Sequence, residues 1–290
     1  MISIFLLSAA VFAADSIRPA QTGDLAHGPV TGILVEDQTL RVIEGLPGAM
    51  RLSEPVEPPA STLRMWAAPR HQWVLVEQAN GRLSAWEWRT GRLTSIAATG
   101  ATRHAFSPSG HDLALAYEDE LVLITGLPAT PRVTLRRTLP FPPAVIAVSD
   151  GADQAALIDA EGAVYAANGE RMANGVTALA FVPGTLDISV LDASRGELRL
   201  VRAAGEQILA TGLEGASALW AGRDKFVVLG SAGVLWRITR ESVSTEEMDP
   251  GSAVQETQFE GTLVVTGGEP QLYVWPYAAQ RVYRLEGERR

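Results

Sequence analysis

The stretch ATRHAFSPSGHDLALAYEDELVLITGLPATPRVTLRRTL, residues 101–139, decides how this chain folds. Its apolar residues fall into four short groups separated by turn residues. His104, Ala105 and Phe106 run into the Pro108-Ser109-Gly110 turn, and Leu113, Leu115 and Tyr117 alternate after it. Leu121 to Ile124 is a dense apolar run, and beyond it Val133 and Leu135 alternate with Arg132, Thr134 and Arg136. Period-2 alternation between turns is a strand signal, and no 3.6-residue periodicity competes with it. Four strands joined by tight turns within roughly forty residues describe one blade of a β-propeller.

Outward from this unit the pattern recurs. Segments 63–66, 73–76, 83–88 and 93–96 make the preceding blade, with Pro69-Arg70-His71 in its first turn. Downstream, segments 144–148, 154–158 and 163–167 with a stub at Arg171 make another blade. Three more follow: 176–181, 187–191, 198–202 and 207–209; then 218–221, 226–229, 234–238 and 242–246; then 254–257, 263–265, 272–275 and 282–285. Nearer the N-terminus, 33–35 and Leu40, Val42 and Ile43 flank the Glu36-Asp37-Gln38 turn. A weak strand at 50–52 and then Pro55, Pro58 and Pro59 end this short unit, which lacks one strand. The third strands begin at Leu83, Leu121, Ala163, Leu198, Val234 and Leu272, spaced by 38, 42, 35, 36 and 38 residues. That period suits propeller blades and excludes helical repeats. The expectation is an all-β propeller of seven four-stranded antiparallel blades, or six if the N-terminal strands complete the last blade. Ring closure removes the exposed strand edges in either case.

The FSPSG turn at residues 106–110, followed by an alternating apolar strand, resembles the FSPDG turn of WD-repeat and YVTN-type propellers. AAPRH at 67–71, AVSDG at 147–151 and AFVPG at 180–184 are looser copies, and Trp86-Glu87 stands where a Trp-Asp pair would. The Trp-Asp dipeptide of true WD repeats is absent, and Gly-His occurs only at 110–111, at the end of the FSPSG turn. The resemblance implies the fold over most of the chain. It implies no single function, because such propellers serve as interaction platforms, lactonase-type enzymes and quinone-cofactor dehydrogenases.

Composition narrows the choice. The 290 residues are 47% hydrophobic and 20% charged, enough apolar matter for a large core and too little charge for a disordered chain. With no cysteine there are no disulfides, thiolate metal sites or cysteine nucleophiles. A formal charge of −9 speaks against a nucleic-acid binder. Residues 2–12 are almost wholly apolar, and Val11 and Ala13 occupy the −3 and −1 positions for cleavage after Ala13. Residues 1–13 are therefore expected to be a signal peptide without the usual basic start, 14–29 a tail and 30–290 one propeller domain. The protein is expected to be secreted or periplasmic and monomeric. No apolar run approaches the roughly 20 residues a membrane-spanning helix needs.

Candidate chemistry is sparse. His71 and His111 occupy equivalent first turns and His104 an inner strand, a spacing that brings no metal set together. There is no G-x-S-x-G elbow, and no glycine-rich run opens a helix. No cofactor is expected. Trp66 and Trp220 are placed to approach the central channel, where they would suit a sugar or another small ligand. The clearest pattern is electrostatic. Second-to-third turns share one face, and they carry Glu36, Asp37, Glu118, Asp119, Glu120, Asp159, Glu161, Asp192 and Glu269. Arg70, Arg89, Arg92, Arg132, Arg171, Arg223, Lys225, Arg240 and Arg281 fall on the other face. The leading expectation is a non-enzymatic scaffold that binds a protein partner on the acidic loop face. The alternatives are a lactonase-type hydrolase and a small-ligand binder at the channel.

Overall fold

A computed structural model describes residues 30–36, 38–45, 49–71, 73–230, 234–247, 257–259, 262–266, 272–276 and 283–285. The expected signal peptide and tail lie outside these residues. The first sheet contains β1 (Val30–Glu36), β2 (Thr39–Glu44) and β3 (Arg51–Leu52). Six four-stranded sheets follow. They are β4 (Thr62–Ala67), β5 (Val74–Gln78), β6 (Arg82–Glu87) and β7 (Arg92–Thr99); then β8 (Arg103–Phe106), β9 (Leu113–Ala116), β10 (Glu120–Thr125) and β11 (Arg132–Thr138). Next come β12 (Val145–Val148), β13 (Ala155–Ile158), β14 (Val164–Ala166) and β15 (Arg171–Ala173), and β16 (Ala178–Phe181), β17 (Ile188–Asp192), β18 (Glu197–Arg202) and β19 (Gly205–Ala210). The last two are β20 (Ala216–Ala221), β21 (Lys225–Gly230), β22 (Val234–Thr239) and β23 (Val243–Glu247), and β24 (Thr257–Phe259), β25 (Thr262–Thr266), β26 (Leu272–Pro276) and β27 (Tyr283–Leu285). Every sheet pairs in chain order and antiparallel, so each is an up-and-down meander.

The chain is thus an all-β propeller with six blades of four antiparallel strands, and the short N-terminal unit forms a three-stranded sheet beside them. In the last blade the described part of the first strand is Thr257–Phe259, and the expected start at 254 lies outside the described residues. The three-stranded sheet touches β24 and β25 on one side and β4 on the other.

Blades are covered on both faces, which is why their middle strands are continuous apolar runs. Val122 and Ile124 pack on Leu75, Leu83 and Ala85 of the blade before. Leu121 and Leu123 pack on Ile146, Val148 and Leu157 of the blade after. The same arrangement recurs between later blades, with Ile158 and Val164 against Leu179 and Ile188, and Leu198 and Leu200 against Leu219 and Val228. Each fully buried aliphatic side chain adds about 1.5–3 kcal/mol.

The first turns of successive blades are also joined by hydrogen bonds. Trp73 Nε1 donates to Gly110 O at 2.8 Å. The buried Asp112 carboxylate accepts from Thr125 Oγ1 at 2.6 Å, from Ser107 Oγ at 3.0 Å and from the Gly151 amide of the next blade at 2.8 Å. Asp150 accepts from the Ser109 amide at 2.7 Å and, on its other side, from the Gly184 amide at 3.0 Å. This belt is the physical content of the FSPSG, AVSDG and AFVPG turns. Gly110 is required within it: φ is +73°, and a Cβ would press into the Pro69 carbonyl oxygen.

Candidate functional site

Up-and-down blades place all second-to-third turns, and all connections between blades, on one face, here called upper. The carboxylates expected there divide by role. Asp159 Oδ1 accepts the amides of Glu161 and Ala163, at 2.9 and 2.8 Å. The Ala163 amide is the strongest influence on its acidity; with the Glu161 amide, the Tyr165 hydroxyl and Arg171 it outweighs burial and holds the carboxyl below its ordinary value. Asp192 is buried beneath its turn at 2% exposure and accepts from Ser194 Oγ and the Arg195 amide. Glu120 pairs with Arg136 at 3.0 Å. These three side chains hold the fold together locally. Glu118, Asp119 and Glu161 instead face solvent and have no ion-pair partner among the described residues. Glu36 is described only by its backbone, and Asp37 and Glu269 lie outside the described residues.

The three solvent-facing carboxylates belong to adjacent blades, and the connection between those blades runs between them. The Leu139 amide donates to Asp119 O at 2.7 Å, and the Ala144 amide to Ile158 O at 2.7 Å. Both ends of the segment Pro140-Phe141-Pro142-Pro143 are therefore tied down. Phe141 packs on Tyr165 with ring centroids 4.8 Å apart. Pro140 and Pro142 are exposed and Phe141 is half-buried. The result is a rigid aromatic and proline ridge flanked by Glu118 and Asp119 on one side and Glu161 on the other. The neighbouring cations are engaged with the chain itself: Arg103 donates to Thr102 O and Ala144 O, Arg137 to Asn168 O, and Arg136 binds Glu120. Sequence reasoning found the carboxylates and missed the ridge. An aromatic residue in a Pro-Phe-Pro-Pro connection was the available signal.

The lower face carries Arg70, Arg89, Arg92, Arg132, Arg171, Arg223, Lys225 and Arg240 at first and third turns, as their spacing predicts; Arg281 lies outside the described residues.

The central channel encloses about 820 Å³ and is walled largely by small apolar residues, among them Ala67, Ala105, Ala147, Ala178 and Ala218. Trp66 and Trp220 both reach this wall, but differently. Trp220 is 2% exposed, and among the described residues its Nε1 has no hydrogen-bond partner. Trp66 is half-buried, with its ring 4.4 Å from His104 and the Arg64 guanidinium 5.6 Å from its centroid. Arg64 is held by Glu77 at 2.7 Å. Burial, helped by the Arg64 charge, lowers the His104 pKa to about 4, so the ring is neutral at pH 7. The Thr177 and Ser217 hydroxyls on the same wall donate to Leu191 O and Leu229 O. Among the described residues no three histidine, aspartate or glutamate side chains gather as a metal set. His111 is a turn residue, its Nδ1 3.0 Å from Leu127 O.

No protein-family model matches the chain, and no curated protein matches it in sequence. Solved structures match its shape. One is PorZ, described as an essential bacterial surface component of the type-IX secretion system of Porphyromonas gingivalis, with 14% identity and a TM-score of 0.59. Another is the tricorn protease, with 12% identity and a TM-score of 0.60. The alignments cover 90% and 91% of this chain but only 37% and 34% of those chains, so it spans about a third of their length. As 1309 solved chains match, the likeness establishes the fold and selects no activity.

Proposed function

We propose that the protein is a non-enzymatic docking platform that binds an extended, basic protein segment on the upper face between its third and fourth sheets. The observation that supports this most is the Phe141–Tyr165 ridge between Glu118, Asp119 and Glu161. Rigid aromatics supply contact area at low entropic cost, and unpaired carboxylates at the rim steer and orient a cationic partner. The channel supports a small-ligand reading less well. Trp220 offers no open ring face, and the Thr177 and Ser217 hydroxyls are already used by the backbone.

The rest of the reading follows the sequence. The blade turns favour a WD-repeat or YVTN-type propeller, the apolar start favours export, and the platform works as a monomer without a cofactor. The test is fluorescence polarisation with extended peptides of equal length, one basic with an aromatic residue, one neutral and one acidic. The basic peptide binds preferentially. Its affinity falls about tenfold or more, roughly 1.4 kcal/mol, in the Glu118→Lys/Asp119→Lys/Glu161→Lys variant and in Phe141→Ala, and is unchanged in Glu241→Lys on the lower face. Equal binding of the three peptides, or full affinity in the triple variant, refutes the proposal.

A further inference from the structure

Five inner strands lead into the same first-turn hydrogen bond, which sets them in register with one another. The amides of Ala68, Ser107, Ser149, Val182 and Gly222 donate to Trp73 O, Asp112 O, Gln154 O, Asp187 O and Lys225 O. Four residues before each of these amides, toward the upper end of the strand, stand Arg64, Arg103, Val145, Ala178 and Ala218. The upper mouth of the channel is therefore lopsided. Two adjacent blades bring a guanidinium group to it, and the next three bring small apolar side chains.

Both arginines are held in place with N–H groups to spare. Arg64 Nε lies 2.7 Å from Glu77 Oε2, and its guanidinium stands 5.6 Å from the Trp66 ring centroid. Its two terminal nitrogens have no partner among the described residues. Arg103 donates from Nε to Ala144 O at 3.3 Å and from Nη1 to Thr102 O at 2.9 Å, and it has no ion-pair partner among the described residues. His104 is half-buried between them, and among the described residues neither of its ring nitrogens has a hydrogen-bond partner. These groups line a crevice of about 40 Å³ that shares Arg64, Trp66 and His104 with the channel wall. Glu77 balances one guanidinium, so the crevice keeps one uncompensated positive charge.

Beyond the crevice the surroundings turn apolar. The channel's volume of about 820 Å³ lies within the roughly 300–1,000 Å³ of small-molecule sites. Its alanine wall offers little to a sugar, because the Thr177 and Ser217 hydroxyls are already bonded to the backbone. The same wall suits an apolar body, which leaves water there without stranding a polar group of its own.

We propose that the channel binds an amphiphilic carboxylate, its head in the crevice between Arg64 and Arg103 and its apolar body along the alanine wall. Guanidinium forks match the planar carboxylate in shape and charge, and both are fixed before the ligand arrives. One spare positive charge favours a singly charged head over a phosphate dianion. The site is separate from the Phe141–Tyr165 ridge and does not rest on the docking reading.

The test is titration calorimetry of the full chain with octanoate, octanol and acetate. Octanoate binds once per chain, and octanol and acetate, each with only half of the recognised features, bind about tenfold or more weakly. The Arg64→Gln/Arg103→Gln variant loses about tenfold or more in octanoate affinity. Phe141→Ala leaves octanoate binding unchanged while weakening the basic peptide, so the two readings fail separately. Amide shifts caused by octanoate centre on residues 64–67 and 103–106. The proposal is overturned if octanoate does not bind at millimolar concentration, if octanol binds as tightly, if the double variant keeps full affinity, or if the shifts centre elsewhere.

Discussion

Replacing Asp112 with alanine tests whether the belt of first-turn hydrogen bonds, and not only the apolar cores, holds neighbouring blades together. The carboxylate is 1% exposed and takes three donors: the Thr125 hydroxyl at 2.6 Å, the Ser107 hydroxyl at 3.0 Å and, from the next blade, the Gly151 amide at 2.8 Å. Hydrogen bonds to a charged group are worth about 1.5–3 kcal/mol each. The sum overstates the loss, because both hydroxyls can turn to new acceptors and the cost of burying the charge disappears with it. The Gly151 amide has no such freedom. A net loss of about 2–4 kcal/mol follows. At roughly 2–4 °C per kcal/mol for a chain of this size, the melting temperature falls by about 4–16 °C. Urea unfolding followed by circular dichroism measures this as a lower midpoint at unchanged slope. A loss under about 0.5 kcal/mol, no more than a substitution at exposed Glu118 should give, would show that the belt contributes nothing beyond the cores.

Gly110→Ala, which forces a side chain to positive φ against the Pro69 carbonyl, destabilises by about 2 kcal/mol or more in the same assay. His104 is neutral in the fold with its pKa lowered to about 4, whereas the unfolded chain binds its proton near 6.5. The unfolded state therefore gains protons first, and stability drops by roughly 1–3 kcal/mol as pH falls from about 7 toward 4. His104→Gln removes that slope in pH-dependent melting. For Asp150, burial raises the pKa, but the Ser109 and Gly184 amides and the Ser109 and Ser107 hydroxyls outweigh it and leave the group more acidic than usual. Its contribution is present above the unfolded carboxylate pKa and is lost as pH falls through the lower folded value. Asp150→Asn accordingly flattens the acid limb of the stability curve.

The blades were legible in the sequence because burial on both faces turns a middle strand such as 121–124 into a solid apolar run between turn residues. The shorter first unit was legible too, since Pro55, Pro58 and Pro59 break it early. The roles of the carboxylates were not. Asp159, Asp192 and Glu161 all stand at hairpin turns, and an acidic residue there has the same sequence signature whether it holds the turn or faces solvent. The turn amides of Glu161, Ala163 and Arg195 decide that in space. The Phe141–Tyr165 contact joins two blades, so no local window contains it. Trp66 and Trp220 both stand at the channel wall, but packing on Trp220 is set by neighbours distant in sequence.

The most direct test of the docking claim is an amide chemical-shift map of the protein titrated with the basic, aromatic-containing peptide. The largest changes are predicted at residues 117–120, 139–144 and 159–165. Changes centred on Trp66 and His104 in the channel, or on the lower-face turns at Arg89 and Arg223, would contradict it.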